Sequence, residues 1–367
     1  MKTSLVLVMI AALTATSAAA QTPTSSAPPL DATASGAAEW NGSEAAAVLA
    51  ELDGALGAYV FQDKVRGARR LLRDNRAAYL AIASRAEFAR RLTADVGGAL
   101  DDKHFYVQER AGTPAAARGG SPEERARVEA ETGYGIASVR RLPGNVGYLD
   151  LRNFSSSEEG ARRMEAAMDL LGDTGALIID LRGNRGGGGT AMAALVGRLA
   201  SKPIPRSTLI WRNDDGSEDR VPMEARDYPA AERYDRPVYV LTSNITISAA
   251  EAFAYDIQAA GRATVVGEAS RGGANPMNRP PVELGGGLVA YIANGRSEHP
   301  VTKGTPNGAG VRPDVAVSSQ AALDAAYAKA LEAVTPTSVE SRFARELAQA
   351  RADPKAALAR SFAMTPA

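Results

Sequence analysis

The sequence predicts an α/β fold with a largely parallel sheet, preceded by a small N-terminal helical domain. Two strand–turn–helix units carry the sheet. "LIIDLR" (177–182) passes through GNRGGGG into "TAMAALVGRLA", and "VYVLTS" (238–243) passes through NITI into "SAAEAFAYDIQAAG", which ends before "ATVVGE". Strand, helix and strand in that order read as βαβ crossovers. The helical domain follows from residues 42–102, where apolar residues recur at three- and four-residue spacing.

Taken in order, residues 1–20 (MKTSLVLVMIAALTATSAAA) have a positive start at Lys2, a short apolar stretch from Leu5 to Leu13 and Ala18-Ala19-Ala20 as a cleavage site. That is the pattern of a secretory signal peptide. Its apolar stretch is too short for a bilayer, and no later run reaches the roughly 20 apolar residues of a transmembrane helix. The expectation is an exported protein, periplasmic or extracellular, with no transmembrane segment after cleavage. Residues 21–41, rich in Pro, Ser, Thr and Ala, read as a flexible leader. The domain over 42–110 contains three helical patterns: "SEAAAVLAELDGALGAYV", "KVRGARRLLRDNRAAYLAIA" and "SRAEFARRLTADVGGAL". Residues 111–130 read as a linker, 131–318 as the α/β core and 319–367 as a helical tail interrupted at Pro336 and Pro354. Strands are expected within 146–154, 175–184, 237–244, 262–268 and 287–293.

Composition narrows the chemistry. Lys and Arg together equal Asp and Glu, 42 of each, so nothing electrostatic points to nucleic acid or anionic lipid. There is no cysteine, which excludes disulfides and thiolate chemistry. Histidine occurs only at His104 and His299, too few for the usual zinc ligand sets, so neither a metal nor a cofactor is expected.

In a parallel α/β sheet, sites gather beyond the carboxyl ends of the strands. Gly183 to Gly189 and Asn244 to Ser248 fall there. The glycine run lacks the spacing of a phosphate loop. It reads either as a tight turn needing positive φ or as a nest of N–H groups in an oxyanion hole. Ser248 likewise has two readings. Ser-x-x-Glu, with Glu251, is the capping-box pattern, and a serine at a helix N-terminus is also well placed as a nucleophile. A serine nucleophile needs a base. His104, in "ALDDKHFYV" (99–107), is the stronger candidate and His299 the weaker.

Four stretches in order, "YGIASVRRLPGNVGYLDLRNF", "LIIDLRGNRGGGG", "YVLTSNITISAAEAFAYDIQAAGRATVVGE" and "GAGVRPDV", resemble the C-terminal-processing (tail-specific) serine peptidase family. The closer likeness is to its branch shared with interphotoreceptor retinoid-binding protein and the tricorn protease core. It extends from about Tyr134 to Val317, with a looser match at "DDKHFYV". The resemblance implies a crotonase/ClpP-like core, a polypeptide substrate and Ser248 as nucleophile. Many members use a lysine base in a phenylalanine-glycine-lysine motif, and the matching position here is Gly273. The histidine branch fits better, with His104 as base and an oxyanion hole from Ala249 N–H and one N–H of Gly186 or Gly187. The branch's relay glutamate matches Asn307, and a serine before the histidine in tricorn-like relays matches Lys103. An amide cannot supply the negative charge that stabilises an imidazolium, which leaves Glu298 or Asp314 as spatial substitutes. The altered relay also leaves open a non-catalytic carrier of apolar ligands.

Overall fold

Residues 40–110, 121–200, 202–336 and 342–363 are described in the computed structural model. The proposed signal peptide and most of the leader, through residue 39, lie outside them, as does the first half of the linker. Asn41 starts α1 (Gly42–Ala55) by accepting from Ser43 N–H at 2.9 Å and Glu44 N–H at 3.2 Å. The next helices are α2 (Gln62–Asp74), α3 (Arg76–Leu80) and α4 (Arg85–Leu100). The second sequence pattern is thus two helices, not one. Asn75 leaves helical geometry at ψ 9° and its Nδ2 donates to the Leu71 carbonyl at 3.1 Å, a local bond that competes with helix continuation.

The chain continues through β1 (Tyr106–Glu109), α5 (Pro122–Glu131), β2 (Ile136–Leu142), β3 (Val146–Leu151), α6 (Glu158–Leu171), β4 (Ala176–Asp180) and α7 (Gly189–Leu199). Then come β5 (Thr208–Arg212), β6 (Glu218–Pro222), β7 (Val238–Thr242), α8 (Ala249–Ala259), β8 (Thr264–Gly267), β9 (Val282–Glu283), β10 (Leu288–Tyr291), β11 (Gly295–Glu298) and β12 (Val315–Ala316). Helices α9 (Ala322–Ala333), α10 (Arg342–Ala352) and α11 (Pro354–Phe362) follow. Two expectations change. The end of the linker is helical, because Ser121 Oγ accepts from Glu124 N–H at 3.2 Å and caps α5. Pro354 begins α11 and does not merely interrupt the tail: Asp353 caps that helix through Ala356 N–H at 2.9 Å, and proline suits the first turn.

The six-stranded sheet has the order β12-β8-β7-β4-β3-β2. Every pairing is parallel except the β2–β3 hairpin. Period-two alternation divides its side chains between two layers. Leu149, Ile179, Val240 and Val265 face α6, α7 and α8, meeting Met164, Leu195 and Phe253. Tyr148, Ile178, Leu241 and Val266 face α9 to α11, meeting Tyr327, Leu347 and Leu358. Full burial of each such aliphatic side chain contributes about 1.5–3 kcal/mol.

The helices of the first domain do not close a core alone. Leu52, Tyr59, Phe88, Leu92 and Phe105 cluster with Leu284, Leu288 and Ala290. Leu288 and Ala290 lie on β10 of a small antiparallel sheet of order β1-β10-β9, and Leu284 directly follows β9. The strand expected within 287–293 therefore forms, but roofs the helical layer and does not join the parallel sheet. The third sheet has order β11-β5-β6. No helix among the described residues is long and apolar enough to cross a membrane.

Candidate active site

The turn after β7 is laced to the turn after β4. Ser243 Oγ donates to the Arg182 carbonyl at 2.6 Å, Thr246 Oγ1 to the Leu181 carbonyl at 2.7 Å, and Ile247 N–H to the Asn184 carbonyl at 3.3 Å. These bonds deliver Ser248 to the N-terminus of α8 beside the glycine run. Ser248 has φ 62° and ψ −125°, a left-handed conformation that a serine adopts at a cost of roughly 1–3 kcal/mol. Adjacent Gly186, at φ 96°, has no room for a side chain: a Cβ there would lie 2.7 Å from Ser248 Cβ and 3.2 Å from its Oγ.

The glycine-loop donors are not equivalent. Gly186 N–H donates to Asn184 Oδ1 at 2.8 Å, and Asn184, fully buried, donates its Nδ2 to the Leu151 carbonyl at 2.9 Å. Gly187 is exposed at φ 125°, its backbone bracketed by the Phe154 N–H to Gly186 carbonyl and Gly188 N–H to Phe154 carbonyl bonds. Neither Gly187 N–H nor Ala249 N–H has an acceptor among the described residues. Of the two sequence alternatives, Gly187 is therefore the one with its N–H available.

Glu251 does more than cap. Its Oε2 accepts from Ser248 N–H at 3.0 Å and Gly273 N–H at 2.9 Å; its Oε1 accepts from Ser270 Oγ at 2.6 Å and Gly272 N–H at 2.5 Å. One carboxylate thus joins the serine turn to segment 270–273. Burial raises the Glu251 pKa, and the four donors offset this only in part.

Segment 273–275 connects the two elements singled out from sequence. The Gly273 carbonyl accepts from Ser248 N–H at 3.1 Å, and the Asn275 carbonyl lies 2.6 Å from His104 Nδ1. A carbonyl oxygen can only accept, so Nδ1 carries the proton and the neutral ring's lone pair belongs to Nε2. Gly273 explains how the histidine loop fits here. A Cβ on it would sit 2.9 Å from Ile247 Cδ1 and 3.3 Å from the Lys103 carbonyl carbon. The side-chain side of Gly273 is filled by Ile247 and by the peptide leading into His104.

The remaining expected residues are placed as follows. Asn307 Oδ1 accepts from Ala274 N–H at 3.1 Å, bracing the segment that holds the imidazole. Lys103 Nζ donates to the Gly308 carbonyl at 2.9 Å. Glu298 pairs with Arg220 at 3.5 Å, and Asp314 accepts from Val265 N–H at 2.7 Å and Gln258 Nε2 at 2.9 Å. Both carboxylates are thus engaged by other parts of the chain. His299 is fully buried as a turn support: Nδ1 accepts from Val301 and Thr302 N–H, and Nε2 faces the Pro205 carbonyl at 3.2 Å. No group of three or more potential metal ligands occurs among the described residues.

Sequence reasoning missed Asp102, Tyr59, Asn275 and Asn184. Only Asp102 had a local signal, since an Asp two residues before a backbone N–H forms an Asx-turn; Asp102 Oδ1 accepts from His104 N–H at 2.8 Å.

Among known proteins, residues 145–317 match the model of peptidase family S41. A candidate peptidase from Parabacteroides merdae has a similar fold, with a TM-score of 0.50 at 18% identity over 76% of this chain and 90% of that one. The photosystem II D1 C-terminal processing protease aligns with a TM-score of 0.48 at 15% identity, over 84% of this chain and 98% of that one.

Proposed function

We propose that this chain, whose residues 145–317 match the model of peptidase family S41, is an exported serine endopeptidase that cleaves unstructured or C-terminal stretches of polypeptide. The observation that carries the reading is the setting of Ser248. It sits in a left-handed turn at the start of α8, against a glycine that leaves its side chain room, with Gly187 and Ala249 N–H lacking acceptors among the described residues.

In this reading His104 takes the Ser248 hydroxyl proton as Oγ attacks the scissile carbonyl carbon. The N–H groups of Gly187 and Ala249 receive the developing oxyanion. The C–N bond then breaks, protonated His104 gives its proton to the leaving amine, and a water activated by the same ring hydrolyses the acyl-enzyme. Gly186 contributes space, and Asn307 supports the chain behind the base without touching the reacting atoms. Export rests on residues 1–20.

A fluorophosphonate probe tests the assignment. The mature protein is expected to label at Ser248 and to cut a disordered protein. Ser248→Ala should abolish both, and His104→Ala should slow them by about 10²- to 10⁴-fold. A wild-type protein that neither labels nor cleaves sinks the peptidase reading and favours the carrier one.

A further inference from the structure

Asp102 lies beneath His104, only 2% exposed, and accepts hydrogen bonds from three parts of the chain. Its Oδ1 takes the His104 N–H at 2.8 Å; its Oδ2 takes the Tyr59 hydroxyl at 2.9 Å and Asn275 Nδ2 at 3.0 Å. Asn275 is also the residue whose carbonyl holds His104 Nδ1. Its amide is oriented by the carboxylate, because turning Nδ2 toward Asp102 leaves Asn275 Oδ1 buried without a partner among the described residues. A charge-assisted bond is strong enough to dictate that choice. Tyr59 remains a donor throughout, since burial and then the neighbouring Asp102 charge push its phenol far above its ordinary pKa. The other charged side chains of the loop point outward, Lys103 to the Gly308 carbonyl and Asp101 to Lys64 at 3.6 Å.

We propose that Asp102 is the positioning carboxylate of this site. Anchored by Tyr59, it fixes the His104 loop through the main chain and through Asn275, and its charge supports the imidazolium formed in turnover. It does from below, through an intervening residue, what a relay acid does in direct contact with the ring. The inference rests on His104 being the base, but its test does not require turnover.

With only two histidines, His104 can be followed by NMR and assigned with His104→Ala. Asp102→Asn is expected to lower the His104 titration midpoint by about one pH unit or more and leave the His299 resonances unmoved. It should slow fluorophosphonate labelling roughly 10- to 10²-fold, and Asp102→Glu should recover part of that rate. A folded Asp102→Asn protein with an unchanged His104 midpoint and labelling rate overturns the proposal. Should Asp102→Asn not fold, Tyr59→Phe removes one anchor and keeps the charge. It should slow labelling several-fold and shift the His104 resonances, and no change in either overturns the proposal equally. A wild type that does not label defeats the peptidase reading, while the titration still reports whether Asp102 governs His104.

Discussion

At Gly186 the backbone turn and the Ser248 side chain compete for one small volume, and two independent penalties meet in a single substitution. Gly186→Ala would place Cβ 2.7 Å from Ser248 Cβ and force alanine to φ 96°. We expect turnover of a disordered substrate to fall at least about 10²-fold while stability drops by only about 1–3 kcal/mol. An enzyme with near-native activity would place the reacting serine elsewhere. Glu251 offers a second test. Its native pKa is raised above the ordinary 4.5 by burial, so between the two values the folded state holds an extra proton. The stability contributed there is therefore greatest below pH 4.5 and declines as pH rises through the native value. Glu251→Gln opposes donors with donors and should cost about 2–4 kcal/mol. In urea denaturation that gap should narrow from pH 4 to pH 8, and a widening gap would contradict the raised pKa. The Ser-x-x-Glu pair was legible because a cap is a local pattern. The bonds from Glu251 to Ser270, Gly272 and Gly273 were not, since their partners lie some twenty positions downstream across a strand.

Helix α8 is the element that presents Ser248, and it is pinned from its opposite end. Asp256, fully buried, accepts from Arg206 Nε at 2.8 Å, Ser207 N–H at 3.2 Å and Ser207 Oγ at 2.6 Å. Asp256→Ala strands a guanidinium that is itself buried. A loss of about 3–5 kcal/mol is expected by chemical denaturation, and a loss under 1 kcal/mol would show that the pair does not lock the helix. Strands β4, β7 and β8 could be read from sequence because they fall in strand–turn–helix–strand patterns, and β3 because it is itself a strand-like run. The run at 287–293 looked the same locally, yet β10 pairs antiparallel with β1, from Tyr106↔Tyr291 to Glu109↔Leu288. Which strand a run will pair with is decided by chain segments far away, and periodicity does not encode it. Helix α3 was hidden for a related reason: Asn75 breaks a pattern whose apolar spacing continues past it.

For the molecule as a whole, the N-terminal reading makes a definite statement about the mature chain. Expressed with residues 1–20 in a secreting bacterial host, the protein should be recovered outside the cytoplasm with Gln21 at its N-terminus by intact-mass analysis. Recovery in the cytoplasm beginning at Met1 would reject export. Composition foretold little of the site, because what organises it is long-range: Tyr59 to Asp102, Lys103 to Gly308, His104 to Asn275. The hanging of both serine and histidine on residues 273–275 has a consequence in time. A ribosome makes the helical layer and its histidine first, then the serine, and only afterwards the three residues that align them. Under the proposed function, the growing polypeptide therefore holds both candidate groups before the residues that would align them exist, and cleavage is expected only once residues 273–275 have been made and folded into place.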